Sequence, residues 1–251
     1  MKKKQKLLSL ITVVKNDVLN IEKTIKSIIK QKNKNVEFII IDGKSNDGTI
    51  KIIKKYKNKI DKIVIEKDKG IYYAMNKGIK FSTGKYIGFC NSGDLIYKGG
   101  IKIILNHLKN NTDVLFATVK RHYLGKTVIK SGYNLFRLNY NFDFATSHST
   151  GFYIKSKFHK ILGLYDVSFK CSSDYDFYYR LLKNNKINVK STPKNKVIGI
   201  VQKGGFSSTL SPIDHLNEET KIRVKNKQNF ILILIIYLNS LTKIFLKKIS
   251  T

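Results

Sequence analysis

Val36-Glu37-Phe38-Ile39-Ile40-Ile41-Asp42-Gly43-Lys44-Ser45-Asn46-Asp47-Gly48-Thr49 is the segment on which the architecture turns. Residues 36–41 form a short, mostly apolar run rich in β-branched side chains. Such a run, without polar alternation, reads as a strand buried on both faces. It stops abruptly at an acid and a glycine, and glycine permits the tight turn that must follow. Residues 48–56 then carry Ile50, Ile52 and Ile53 and read as a helix. The same alternation extends in both directions. Upstream, residues 7–14 read as a strand and 18–31 as a helix with Ile21, Ile25, Ile28 and Ile29 on one face. Downstream come a strand at 62–65, a helix at 71–81 and a strand at 85–90 that runs into Asn91-Ser92-Gly93-Asp94. Strands alternating with helices predict an α/β fold, with a mostly parallel central sheet and helices on both faces. In such sheets ligands bind beyond the carboxyl ends of the strands. Val14-Lys15-Asn16, Asp42-Gly43 and Asn91 to Asp94 all fall at those ends, so three polar clusters are expected to converge on one rim.

The second half is less regular. Residues 101–109 read as a helix, 114–119 as a strand, 151–154 as a strand feeding a helix at 156–162, and 173–184 as a helix. Residues 187–201 hold one or two short strands. No repeat or low-complexity linker divides the chain, so residues 1–210 are expected to form one catalytic domain and 211–251 a helical extension. Within that extension, 230–246 is strongly apolar at first but interrupted by Asn239, Ser240, Thr242 and Lys243, short of a membrane span. Lysines and Arg223 flank it. An interfacial helix on anionic lipid, a helix docked on the core and a contact between copies all suit it.

The 251 residues suffice for a large α/β core, and the formal net charge is +31. Lysine supplies almost all of it, since Arg121, Arg137, Arg180 and Arg223 are the only arginines. Lysine spread along the whole chain reads first as a solvated surface. Its field still favours phosphorylated substrates and anionic lipid. A nucleic-acid binder, the reading that the charge invites, usually clusters arginine, lysine and aromatics on one stripe. The two cysteines, Cys90 and Cys171, have no metal-ligand spacing and predict no disulfide framework. No secretory leader is evident at the start, so a cytoplasmic location is expected.

Four segments carry chemistry. Asp42, at a strand end, is suited to hold a base or ribose, whereas Asp47 reads as a cap for the helix that follows. In Asp68-Lys69-Gly70-Ile71-Tyr72-Tyr73-Ala74-Met75-Asn76-Lys77-Gly78-Ile79, the residues Ile71, Met75 and Ile79 read as core. Lys69-Gly70 at the helix start suits a phosphate. Asn91-Ser92-Gly93-Asp94 offers hard oxygen donors of the kind that hold magnesium or manganese against a diphosphate. In Ser173-Asp174-Tyr175-Asp176, an aspartate at a helix start could take a proton from an acceptor hydroxyl. Chemistry alone does not rank Asp174 against Asp176.

In this order and spacing, Ile11-Thr12-Val13-Val14-Lys15-Asn16, the Asp42 and Asp68 segments and Asn91-Ser92-Gly93-Asp94 resemble the family-2 glycosyltransferases. The similarity is greatest to the branch that builds bacterial capsule, exopolysaccharide and lipopolysaccharide, including the colanic-acid type. The resemblance covers residues 8 to about 208. It implies a Rossmann-like glycosyltransferase A fold, an inverting reaction and a divalent metal, Mn2+ or Mg2+. By that resemblance Thr12, Val14, Asn16 and Asp42 line the nucleotide pocket. Lys69, Asn76, Asn91 and Ser92 approach the donor, and Asp94 matches the last acid of the metal-binding D-x-D motif. Asp174 matches the catalytic base, and His148 a histidine near diphosphate or acceptor. Asn91 stands where that motif begins with an acid, and Ser173 where the family has a glutamate before the base. The Q-x-x-R-W motif of processive synthases is missing, and Gly204-Gly205-Phe206-Ser207-Ser208 occupies a comparable place. The implied partners are a nucleotide-diphosphate sugar, with UDP favoured, and a saccharide or lipid-linked acceptor. An anionic membrane surface, peripheral at the inner face of the cell membrane, and a second copy are further expected contacts. A nucleotidyltransferase on a similar sheet is the rival enzyme. A transferase that has lost turnover is a third reading, prompted by Asn91 and Ser173.

Overall fold

The computed structural model describes residues 5–123, 125–140, 144–145, 149–183, 187–202 and 210–249. Its first half follows the expected alternation: β1 (Leu8–Val14), α1 (Ile21–Ile29), β2 (Val36–Asp42), α2 (Thr49–Lys55), β3 (Lys62–Ile65), α3 (Ile71–Phe81) and β4 (Tyr86–Phe89). Then come β5 (Leu95–Ile96), α4 (Gly100–Leu108), β6 (Val114–Phe116), β7 (Val119–Tyr123), β8 (Lys126–Lys130) and α5 (Leu135–Leu138). The chain continues with β9 (Phe152–Lys155), α6 (Lys157–Ile161), α7 (Ser173–Leu182), β10 (Val189–Ser191), β11 (Gly199–Val201), α8 (Pro212–Lys225) and α9 (Phe230–Ile249).

The main sheet has seven strands in the order β10-β6-β9-β4-β1-β2-β3. β1 pairs in parallel with β2 and β4, β2 with β3, and β10 with β6. β9 alone runs antiparallel to its neighbours β4 and β6. A second sheet of four strands, β5-β11-β7-β8, stands beside it.

Side chains alternate across a strand, and the two halves of the core follow that alternation. Leu8, Leu10 and Val14 of β1 and Val36, Phe38 and Ile40 of β2 pack with Ile21, Ile25 and Ile28 of α1 and Ile101, Ile104 and Leu108 of α4. Ile11 and Val13 with Ile39 and Ile41 face the other way, onto Tyr72, Met75 and Ile79 of α3 and onto the aromatic α7. Gly78 lets α3 lie close on β1: a Cβ there would sit 2.6 Å from Cγ2 of Ile11.

The expected single strand at 114–119 is two strands in two sheets. Thr118 makes the break. Its amide donates to Oγ1 of Thr192 at 2.7 Å and its hydroxyl reaches the Thr192 carbonyl at 3.0 Å, so its polar groups leave the ladder. The hairpin of β7 and β8 then joins the second sheet.

The core does not pause at residue 210. Leu216 and Ile222 of α8 are buried, and Ile222 belongs to the cluster of α3 and α7. Arg223, which flanks the apolar stretch in the sequence, is buried: its guanidinium donates to the carbonyls of Asn139 and Tyr140 and to Gln228. Only α9 departs from this pattern, since Ile233 is its sole fully buried apolar residue among those described.

Candidate active site

The rim forms because the turn after β1 ties the other two turns to itself. Parallel register sets Val14 beside Asp42, and the Gly43 amide donates to the Val14 carbonyl. Asn16, with φ 52°, donates its amide to Oγ of Ser45 at 2.8 Å and accepts the Asn46 amide at Oδ1 at 2.9 Å. The Asp17 amide donates to Oγ1 of Thr49 at 3.0 Å, while the Asp17 carboxylate accepts the Ser92 hydroxyl at 2.6 Å. Asp47 accepts from the amides of Thr49 and Val18, as a cap should. The three clusters at the ends of β1, β2 and β4 are thus one hydrogen-bonded unit, and the residue that links them, Asp17, had no role in the sequence reading. Its only signal was an acid directly after Asn16.

Asp42 is fully buried at the end of β2, with Oδ1 held by the Ser45 amide at 2.7 Å and Oδ2 by the Ser45 hydroxyl at 2.8 Å. Val14 is buried beside it. Thr12 is also buried, and its hydroxyl donates to the Cys90 carbonyl at 2.7 Å, tying β1 to the end of β4. Lys69 is exposed in the loop before α3. Asn76 is turned elsewhere: its amide clasps the backbone of Tyr165, donating to the carbonyl at 2.8 Å and accepting the amide at 3.0 Å. That fixes the loop leading to α7, so Asn76 reaches the site through Tyr165.

At the end of β4, Gly93 takes φ 94°, a left-handed conformation that favours glycine, and closes the turn in which the Asp94 amide donates to the Asn91 carbonyl at 3.0 Å. The Asn91 side-chain oxygen is buried with no hydrogen-bond partner among the described residues. A buried acceptor left open in this way invites a cation or a donor. Asp94 accepts the Thr150 hydroxyl at 2.5 Å and the Gln202 amide at 3.1 Å. It therefore joins this turn to the segments before β9 and after β11. Among the described residues, no group of three or more His, Cys, Asp or Glu could hold a metal. The donor set nevertheless fits magnesium or manganese, which bind through one or two carboxylates plus substrate phosphates.

α7 begins at Ser173, and its first turn carries both candidate acids. The geometry ranks them. Asp176 is fully buried and spent: Arg180 donates to one oxygen at 2.9 Å, and Lys225 and Asn226 reach the other at 3.0 and 3.1 Å. Asp174 is half-buried, with Oδ1 taking the Tyr72 hydroxyl at 3.1 Å and the Tyr175 amide at 3.0 Å. No donor reaches its Oδ2 among the described residues. Burial pushes the Asp174 carboxyl up to about 6, against the pull of Tyr72 and Tyr175, and the nearby Glu218 carboxylate adds to the rise. Tyr72 also donates to the Cys171 carbonyl at 2.6 Å. Glu218 of α8 holds the preceding loop through the amides of Lys170, Cys171 and Ser172. Burial alone would raise the Glu218 carboxyl, but those amides hold it below its usual range. The Ser173 hydroxyl is buried without a partner among the described residues. His148 and the segment Gly204 to Ser208 lie outside the described residues.

Residues 9–171 match the model of glycosyl transferase family 2. The chain belongs to that family. Its similarity to an uncharacterized glycosyltransferase of Rickettsia typhi is 30% identity over 192 residues, 72% of this chain and 60% of the relative. Its similarity to the poly(ribitol-phosphate) beta-N-acetylglucosaminyltransferase TarP of Staphylococcus aureus is 32% over 132 residues, 50% of this chain and 40% of the relative. The chain thus spans only part of the length of these family members. Among solved structures, that of S. aureus TarS residues 1–349 in complex with UDP-GlcNAc superposes with a TM-score of 0.70 at 22% identity, covering 87% of this chain and 66% of that one. The expected glycosyltransferase A fold is therefore the fold of this family member.

Proposed function

We propose that this chain is an inverting glycosyltransferase, moving the sugar of a nucleotide-diphosphate sugar, with UDP favoured, onto an acceptor hydroxyl. The acceptor is a saccharide, free or lipid-linked, in the building of a bacterial surface polysaccharide such as capsule, exopolysaccharide or lipopolysaccharide. The observation that carries this reading is the pair of carboxylates at the head of α7. Asp176 is consumed by cations, while Asp174 keeps one oxygen without a donor among the described residues and a carboxyl raised to about 6. A base near the working pH is what proton removal from a sugar hydroxyl requires. The UDP-GlcNAc and UDP bound in the TarS structures support the donor class, and the poly(ribitol-phosphate) named for TarP supports a polymer-building role.

The residues take these roles. Thr12, Val14, Asn16 and Asp42 shape the nucleotide pocket, with Asp42 and Asn16 ordered by Ser45. Lys69 meets the phosphates, Ser92 and Asn91 the donor, and His148 the diphosphate or acceptor. Asn76 positions, through Tyr165. Asn91 and Asp94 would hold the divalent ion, whose chemistry there would be to neutralise charge on the departing diphosphate. Asp174 takes the proton of the acceptor hydroxyl. The acceptor hydroxyl oxygen forms the new bond on the face of the anomeric carbon opposite the nucleoside diphosphate, which leaves with the electron pair, so the configuration inverts. The catalytic unit includes α8, leaving α9 as the extension, and the work takes place on the cytoplasmic side, at the inner face of the membrane.

Thermal-shift screening against UDP, GDP, dTDP and CMP with manganese identifies the nucleotide. Release of nucleoside diphosphate, not pyrophosphate, separates a sugar transferase from a nucleotidyltransferase. Asp174→Asn should keep nucleotide binding and lower turnover by about 10²–10⁴-fold. Unchanged turnover in that variant would show that the base is another group.

A further inference from the structure

α9 has one face on the protein and one face exposed among the described residues. Ile233 is buried on the side toward α8, whereas Ile231, Leu234, Ile235, Leu238, Phe245 and Leu246 are 47% to 68% exposed. At the α-helical repeat these six positions lie within one sector of about 120°. α9 is a helix of 20 residues, about 30 Å long, and the stripe runs from Ile231 to Leu246 with Thr242 set between Leu238 and Phe245. Single exposed apolar residues are ordinary; an aligned row of large ones on a helix marks an interaction surface.

Charge identifies what covers it. The sequence of α9 contains Lys243, Lys247 and Lys248 and no acid. Exposed Lys221 and Lys227 lie at the junction with α8, and the whole chain carries a net charge of +31. A second copy would set this strongly positive surface against itself. An anionic lipid headgroup layer would neutralise it while accepting the apolar stripe. Spanning is not the alternative, since among the described residues no helix is long and apolar enough to cross a membrane.

We infer that α9 lies flat in the interface of an anionic bilayer, with the Leu234–Leu238 face sunk among the acyl chains and its lysines at the headgroups. This goes further than peripheral location by naming the element, its orientation and the lipid class. It stands on α9 alone and does not depend on the transferase reading.

The chain has no tryptophan, so one introduced at Leu238, away from every site residue, reports on this face without background. The full chain bearing Leu238→Trp is titrated with vesicles of phosphatidylcholine alone and of phosphatidylcholine with phosphatidylglycerol. The expected result is a blue-shifted emission only with the anionic vesicles, quenched by brominated acyl chains. Co-sedimentation should fall at least about tenfold in Ile235→Glu/Leu238→Glu, because two charges would have to enter the acyl region. Nucleoside diphosphate release with a soluble acceptor should be unchanged in that variant, which separates failure of docking from failure of the enzyme. A tryptophan already blue-shifted without lipid, in step with a protein-dependent rise in mass, would overturn the inference in favour of a second copy. Emission that ignores both kinds of vesicle would overturn it outright.

Discussion

Tyr72→Phe isolates the part of the base's behaviour that the surrounding fold controls. The Tyr72 hydroxyl has one proton and two acceptors, the Cys171 carbonyl at 2.6 Å and Asp174 Oδ1 at 3.1 Å. A full hydrogen bond to a charged group contributes roughly 1.5–3 kcal/mol, and one pKa unit corresponds to about 1.4 kcal/mol. Because the proton is shared and the longer distance is to Asp174, the low end applies. The variant should raise the carboxyl from about 6 by roughly one unit. A base with a pKa of about 6 is roughly 90% ionised at pH 7, and one near 7 roughly half. The kcat/KM of Tyr72→Phe should therefore be about twofold low at pH 7 and close to wild type at pH 8.5. The assay is nucleoside diphosphate release across pH 5 to 9 at subsaturating acceptor, which reads the free enzyme. Retained thermal stability to within about 1–2 kcal/mol shows that the lost Cys171 contact has not unfolded the site. An acid limb left in place, with activity lowered equally at every pH, would mean that Tyr72 only braces the fold and that Asp174 is not the titrating group.

Three further outcomes follow from named contacts. The Asp174 carboxyl is raised on folding, so the protonated form suits the native state. Its contribution is favourable below the unfolded value near 4 and is lost as pH rises through about 6. Asp174→Asn should then stabilise the fold at pH 8, by no more than about 3 kcal/mol before discount for solvent and less in practice, read as a higher Tm, and change little at pH 4. Asp176→Asn should do the reverse, losing about 3 kcal/mol in denaturant melts because Arg180 and Lys225 are left without their buried partner. Gly78→Ala presses a methyl to 2.6 Å from Ile11 and should destabilise by about 1–3 kcal/mol, read as a lower Tm with a normal pH profile.

Most of the fold was legible because its first half obeys local rules. The apolar runs of β1 and β2, and the 3.6-residue spacing in α1 and α3, are signals carried within ten residues. The direction of β9 was not legible, since a strand has the same pattern whichever way it runs. Nor was the break at Thr118, where the competing partner is Thr192, 74 residues away. The same distinction governs the site. Asp42, Asn91 and Asp94 could be read from their places at strand ends. Asp174 was set apart from Asp176 only by the family resemblance, and the physical reason is the ring of Arg180, Lys225 and Asn226 around Asp176. Asn76 sits in a motif that points to the donor, yet its amide is committed to Tyr165, a contact 89 residues distant. Asp17 and Glu218 were missed because what defines each is a bond to a remote turn.

The hold of α8 on the rest of the molecule bears on how the protein can be cut. Arg223 supplies donors to the carbonyls at the end of α5, and Glu218 gathers three amides ahead of α7. Cleavage near residue 210 would strip both at once and bare the aromatic layer beneath Ile222. The shortest fragment that keeps a whole core therefore ends after Gln228, where α9 can be removed without disturbing a single one of those bonds.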